Sequence, residues 1–122
     1  MTVTVVTLLK RREGMSRDAF RAYYEEHHRR IGERVLDGYA TRYLRRYLTP
    51  SDGVDLPMDY DVVLEIDFPD AATRDACFTA IGEPQTLAMI VEDEEKLFDR
   101  SRIRTYCVCE SVSKLAPLSC AR

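Results

Sequence analysis

The chain has two histidines, and they are adjacent: His27 and His28 follow directly on Tyr23-Tyr-Glu-Glu26. An imidazole titrates near neutral pH, so either ring can take a proton from a carbon acid or a hydroxyl and give it back. Consecutive helical residues point about 100° apart, which is the wrong spacing for two ligands on one ion; no metal site is expected. A second set of reactive groups lies at Tyr43 and Tyr47, which share one side of an alternating stretch. Their rings can pack a flat substrate while a phenol donates to its carbonyl oxygen. Each group also has a plainer reading. The histidine can be a structural residue bonded to the sheet, and the tyrosines can be core residues with tethered hydroxyls. Glu65 and Asp61 alternate away from Leu64 and Ile66, so they read as interface or structural ions.

The histidines need a helix to hold them, and residues 16 to about 36 supply one. Ser16 can cap it, Asp18 meets the positive end of the helix dipole, and Asp37-Gly38 ends it. Phe20, Tyr24, Ile31 and Val35 recur at helical spacing as one buried stripe, with His27 and His28 on its two flanks. That places an imidazole where helix meets sheet. Residues 2–9 are rich in Val, Thr and Leu and read as a central strand. Period-two alternation marks a second strand over residues 39–48 and a third over 60–68, with a Pro- and Gly-containing surface loop, residues 49–57, between them. Pro69-Asp70 stops the third strand, and Ala71 to about Ile81 reads as a short helix, with Ala72, Ala76 and Ala80, or else Cys77 and Ile81, turned inward. Gly82-Glu-Pro84 breaks it, a further helical stretch runs from Gln85 to Arg100, and residues 103–112 form the last strand.

The order strand, helix, strand, strand, helix, strand favours an α+β, ferredoxin-like βαββαβ fold, a four-stranded antiparallel sheet with helices on one face. The first strand is apolar on both sides, so the uncovered sheet face is expected to meet a second copy of the chain, giving a homodimer. Residues 1–113 read as a single domain and 114–122 as a C-terminal tail. The hydrophobic fraction of 45% and charged fraction of 32% are those of an ordinary globular protein. No apolar run approaches the roughly 20 residues of a membrane span, and the N-terminal stretch lacks the features of a secretory signal. A cytoplasmic address with no membrane partner is the expectation. Cys77, Cys107, Cys109 and Cys120 lack zinc-site spacing and read as reduced thiols, Cys120 being the odd one in the tail. Charge is uneven: residues 1–50 hold 11 Lys and Arg against 6 Asp and Glu, and residues 51–122 hold 7 against 15.

Three stretches together bring a family into view. Lys10-Arg-Arg-Glu-Gly-Met-Ser-Arg-Asp-Ala-Phe20 with Tyr23-Tyr-Glu-Glu-His-His28, then Tyr60-Asp61 with Glu65 and Phe68, then Asp93-Glu-Glu-Lys-Leu-Phe-Asp99, resemble the EthD domain family. The resemblance spans most of residues 5–112. It implies a dimeric α/β barrel: two chains with facing sheets, and in each a cavity between sheet and helices. It also implies small-molecule chemistry without a bound cofactor, since similar proteins include dehydratases of aromatic polyketide pathways. It favours His28 over His27 as the motif histidine and Tyr24 as part of the cavity wall. Asp93 falls within the third motif and becomes a candidate substrate-binding residue, although an acidic run such as Glu92-Asp-Glu-Glu95 is more often a solvated face. The family often carries Trp where this chain has Tyr24, and the chain contains no Trp, so a relative's substrate does not transfer.

The expected function is therefore a cofactor-independent enzyme acting by proton transfer, through dehydration, cyclisation or isomerisation, on a hydrophobic, aromatic or polyketide-like molecule. His28 is the expected catalytic residue, and Tyr24, Tyr43, Tyr47 and Asp93 are the expected substrate-binding residues. The alternative is a non-catalytic ligand-binding or accessory homodimer. An RNA-recognition module shares the strand order, but the last strand Ile103-Arg-Thr-Tyr-Cys-Val-Cys109 lacks the aromatic-rich motif and the net charge is −3 rather than basic, so no nucleic-acid partner is expected.

Overall fold

A computed structural model describes residues 1–119. The elements are β1 (Val3–Leu9), α1 (Arg17–Tyr23), a π-helical turn (Tyr24–His28), α2 (Arg29–Leu36), β2 (Arg42–Tyr47), β3 (Val62–Phe68), α3 (Ala71–Ile81), α4 (Pro84–Glu94), a 3-10 turn (Arg100–Arg102) and β4 (Arg104–Cys107). The four strands form one antiparallel sheet in the order β2-β3-β1-β4, the ferredoxin-like arrangement. The expected reading about Cys120 lies outside the described residues.

Local chemistry accounts for most boundaries. Ser16 Oγ accepts from Ala19 N at 3.1 Å and Asp70 Oδ1 from Thr73 N at 2.7 Å, so each cap satisfies a donor that its helix leaves open. Pro84 sits in the first turn of α4, where its missing N–H costs nothing. The last strand is shorter than expected, ending at Cys107 instead of Val112, because only β1 flanks it and every residue of β4 is exposed. The stretch expected to be helical to Arg100 stops at Glu94; the chain then turns so that Leu97 O receives Arg12 N at 2.7 Å and Lys10 O receives Asp99 N at 2.9 Å.

The alternation of β3 puts Val62, Leu64, Ile66 and Phe68 beneath the helices, and register brings Val5 and Leu9 of β1 and Tyr43 and Tyr47 of β2 to that same face. In α3 it is Cys77 and Ile81 that turn inward, the second of the two expected faces. Phe20, 1% exposed, meets Tyr24, Tyr47 and Phe98 edge to face at centroid separations of 5.8–6.3 Å. Such pairs add roughly 0.5–1.5 kcal/mol each beyond the area they bury. On the opposite face Val6, Leu8, Leu44 and Val63 are only partly covered and lie among Arg42, Arg46, Glu65 and Asp67. Among the described residues, no helix is long and apolar enough to cross a membrane.

Candidate active site

The π turn decides where the imidazole goes. Arg29 N donates to Tyr24 O, five residues back, so the turn holds one residue more than an α-helical turn would. An extra residue delays the helix by about 100°, and everything after Tyr24 changes face. The expected stripe of Phe20, Tyr24, Ile31 and Val35 becomes Phe20, Tyr24, His28 and Leu36, all buried, while Ile31 and Val35 are half-buried. His28 is thus no flank residue: it is 7% exposed, with its ring edge-on to Tyr24 and Phe98 at 5.2 Å from each. His27 remains on the surface, stacked on Tyr23.

Asp93 is the partner of His28. The acidic run covers the last turn of α4, where Glu92 and Glu95 are exposed but Asp93 is 8% exposed. Its Oδ2 lies 2.8 Å from His28 Nδ1, and its Oδ1 accepts from the Tyr23 hydroxyl at 2.5 Å. A carboxylate can only accept, so Nδ1 carries the proton and Nε2 is the free ring nitrogen. Burial, with the bond to Asp93 second, pushes the Tyr23 phenol up to about 12, so it stays a donor. Asp93 therefore orients the imidazole, where the sequence suggested contact with substrate or a solvated face.

A cavity of about 250 Å³ opens between helices and sheet, and His28 and Tyr24 line it together with Tyr43, Gly32, Phe78, Ile90, Glu94 and Phe98. Thr7 and Thr105, whose hydroxyls lie 3.0 Å apart, form part of its sheet wall. Tyr24 and Tyr43 approach hydroxyl to hydroxyl at 3.0 Å, and burial holds both phenols above their ordinary value, most strongly at Tyr24. Two hydroxyls joined by one hydrogen bond have one O–H left to donate elsewhere. Tyr47 does not join them. Its hydroxyl donates to Glu25 Oε2 at 2.6 Å, Glu25 also receives Arg45 Nε at 2.7 Å, and Tyr47 is absent from the cavity wall. The Arg45 bond is the main reason the Glu25 carboxyl lies below the usual carboxylate range.

Sequence reading missed Glu94 and Gly32. Glu94 neighbours Asp93 and lines the cavity; burial raises its carboxyl above the ordinary value. The apolar Leu97 and Phe98 just beyond the acidic run were the available signal for Glu94. Asp61, by contrast, is a structural ion, 3% exposed, accepting from Arg11 N at 2.8 Å among the cations of Lys10, Arg11 and Arg17. Glu65 is on the far sheet face, 3.2 Å from Arg46 Nε. A wider depression of about 580 Å³ lies between residues 10–15 and 55–57, and two of its three arginines, Arg11 and Arg102, are engaged by Asp55 and by the carbonyls of Pro57 and Met58.

The EthD domain model matches residues 12–101, about three quarters of the chain and including every residue of the His28–Asp93 pair. The chain belongs to the EthD domain family. An EthD family protein from Bacillus halodurans superposes with a TM-score of 0.64 at 15% identity, covering 91% of this chain and 100% of its own. A DABB family protein with a ferredoxin-like fold from Mesorhizobium loti gives 0.55 at 10% identity, covering 91% and 98%. A dimeric protein of unknown function and ferredoxin-like fold from Bacteroides fragilis gives 0.53 at 10% identity, covering 88% and 92%. At these identities the structural likeness shows the fold alone. No curated protein matches this EthD chain at a significant level.

Proposed function

We propose that this EthD protein is a cofactor-independent enzyme that moves protons on a hydrophobic, aromatic or polyketide-like small molecule, in lyase or isomerase chemistry. His28 is the general base, Asp93 its positioning residue, and Tyr24 and Tyr43 orient the substrate. The observation that carries this reading is the 2.8 Å bond between His28 Nδ1 and Asp93 Oδ2 at the wall of an apolar cavity. With Nδ1 occupied, Nε2 can accept a proton from a carbon acid, and the neighbouring carboxylate favours the cation that forms. The electrons left behind collect on the substrate's carbonyl oxygen. The spare O–H of the Tyr24–Tyr43 pair is a suitable donor to that oxygen, because burial keeps both phenols protonated. A cavity of about 250 Å³ fits one or two fused rings and lies just below the usual range of drug-sized ligand sites.

The enzyme acts as a cytoplasmic homodimer in this reading, with the outer sheet faces apposed. Support comes from the partly covered Val6, Leu8, Leu44 and Val63 flanked by charges of both signs, which suits a self-complementary contact, and from the dimeric Bacteroides neighbour.

The test uses α-tetralone, an aromatic ketone with acidic α-hydrogens and no leaving group. In deuterium oxide the protein should speed α-hydrogen exchange, read by NMR, and His28→Ala should reduce that rate by about 100-fold or more. Exchange that survives His28→Ala would sink the assignment of the base. Binding of the ketone with no exchange would instead favour the non-catalytic binder.

A further inference from the structure

The His28–Asp93 reading leaves one ionisable group of the cavity without a task. Glu94 follows Asp93 at the end of α4, and successive helical residues point about 100° apart. Asp93 is thereby turned to Nδ1 of His28 while the Glu94 side chain, 18% exposed, lines the space that His28 lines. Its bond from Arg100 Nε to Oε1 is long, 3.4 Å, and the Arg100 side chain is itself 43% exposed. A carboxylate kept for structure would be expected to have shorter, more numerous donors.

The charges around Glu94 pull in both directions. Burial, the adjacent Asp93 carboxylate and the negative C-terminal end of the α4 dipole disfavour ionisation, whereas His28 and Arg100 favour it. The net effect raises the carboxyl above its ordinary value, with burial the largest contribution. One cavity thus holds an imidazole oriented by one carboxylate and, beside it, a second carboxyl held by one long hydrogen bond, the two groups that a base and an acid require.

We infer that Glu94 is a second catalytic residue, the proton donor that acts on a leaving hydroxyl while His28 removes the α-hydrogen. This rests on the reading of His28 as the base. In a β-hydroxy ketone, His28 Nε2 takes the α-hydrogen as a proton, and the C–H electron pair becomes the new carbon–carbon double bond. The bond from the β-carbon to the hydroxyl breaks with its electron pair on oxygen, and the Glu94 proton joins it to give water. The site is left as imidazolium and carboxylate, and one proton passing from His28 to Glu94 restores it.

Two probes separate this inference from the reading beneath it. β-Hydroxy-α-tetralone needs both base and acid, since water loss and tautomerisation give the fluorescent α-naphthol; α-tetralone exchange needs the base. Glu94→Gln should lower elimination about 100-fold relative to exchange, and should remove the alkaline fall in the elimination rate that marks loss of the donor's proton. Glu94→Asp, which keeps the carboxyl, should recover part of the loss. Equal falls in both reactions with Glu94→Gln, in a protein of unchanged circular dichroism, would mean a structural role and overturn the inference, as would undiminished elimination. Exchange unaffected by His28→Ala would overturn the reading of the base, and the inference with it.

Discussion

Gly32 lies so close beneath the Tyr43 phenol that a Cβ placed there would come within 2.5 Å of the hydroxyl oxygen and 2.8 Å of Cζ. Helix α2 can approach β2 only because this position has no side chain, and the Tyr24–Tyr43 contact depends on that approach. Ala would ordinarily gain about 0.5–1 kcal/mol over Gly within a helix. Here Gly32→Ala should instead destabilise by about 1–3 kcal/mol in urea denaturation, the usual range for overpacking. Pairing it with Tyr43→Ala should return most of the helix-propensity gain; a double variant as unstable as the sum of the singles would show that the clash lies elsewhere.

Asp93→Asn removes the anion beside His28 while keeping nearly the same volume. Both of its carboxylate oxygens are engaged, by His28 and by Tyr23, so stability should fall by about 1–3 kcal/mol. α-Hydrogen exchange of α-tetralone should drop by about 100-fold, because an amide can donate to Nδ1 and so favour the tautomer with its proton on Nε2. Tyr23→Phe breaks only the 2.5 Å phenol bond and should cost about 1 kcal/mol. NMR of the ring nitrogens in the Asp93→Asn variant checks the tautomer directly.

The fold was legible in the order of elements, because alternation in residues 60–68 and the cap at Ser16 are local signals with local causes. The helix bearing the histidines was legible too, but not its phase. A π turn leaves no mark in the spacing of Phe20 and Tyr24, so a constant 3.6-residue period carried Ile31 and Val35 inward and left His28 on the flank. The bond from Asp93 to His28 and the place of Glu94 were hidden for a different reason. Both are set by where α4 crosses the helix of His28, a contact 65 residues apart in sequence for the His28–Asp93 bond. Tyr43 and Tyr47 did share a face, as alternation requires, yet Glu25 takes the Tyr47 hydroxyl and separates their environments.

Glu94 carries a pH signature in stability that is separate from turnover. Its carboxyl is raised in the folded chain, so its contribution to stability is fully present below the unfolded value and is lost as pH rises through the folded value. Glu94→Gln, which stays neutral, should therefore gain Tm over the wild type above the carboxyl range and lose that advantage on acidification. Thermal unfolding followed between acid and mildly alkaline pH would show the two curves converging at the acid end. A gap independent of pH would mean that Glu94 titrates alike in the folded and unfolded chains.

Val6 offers the sharpest test of the dimer. It stands on the outer face of β1, opposite Glu65 on β3 and Tyr106 on β4. Val6→Lys places an ammonium beside the Glu65 carboxylate, a cross-strand pair of opposite charge that contributes roughly 0.2–1 kcal/mol, so the isolated chain should fold. Across an apolar two-fold contact the same ion pair would be stripped of water in both copies, and that desolvation disfavours association strongly. Analytical ultracentrifugation should then return a dimer for the wild type at micromolar concentration and a monomer of unchanged circular dichroism for Val6→Lys. If the variant sediments as a dimer, the outer sheet face is not the contact, and a wild type that sediments as a monomer removes the dimer altogether.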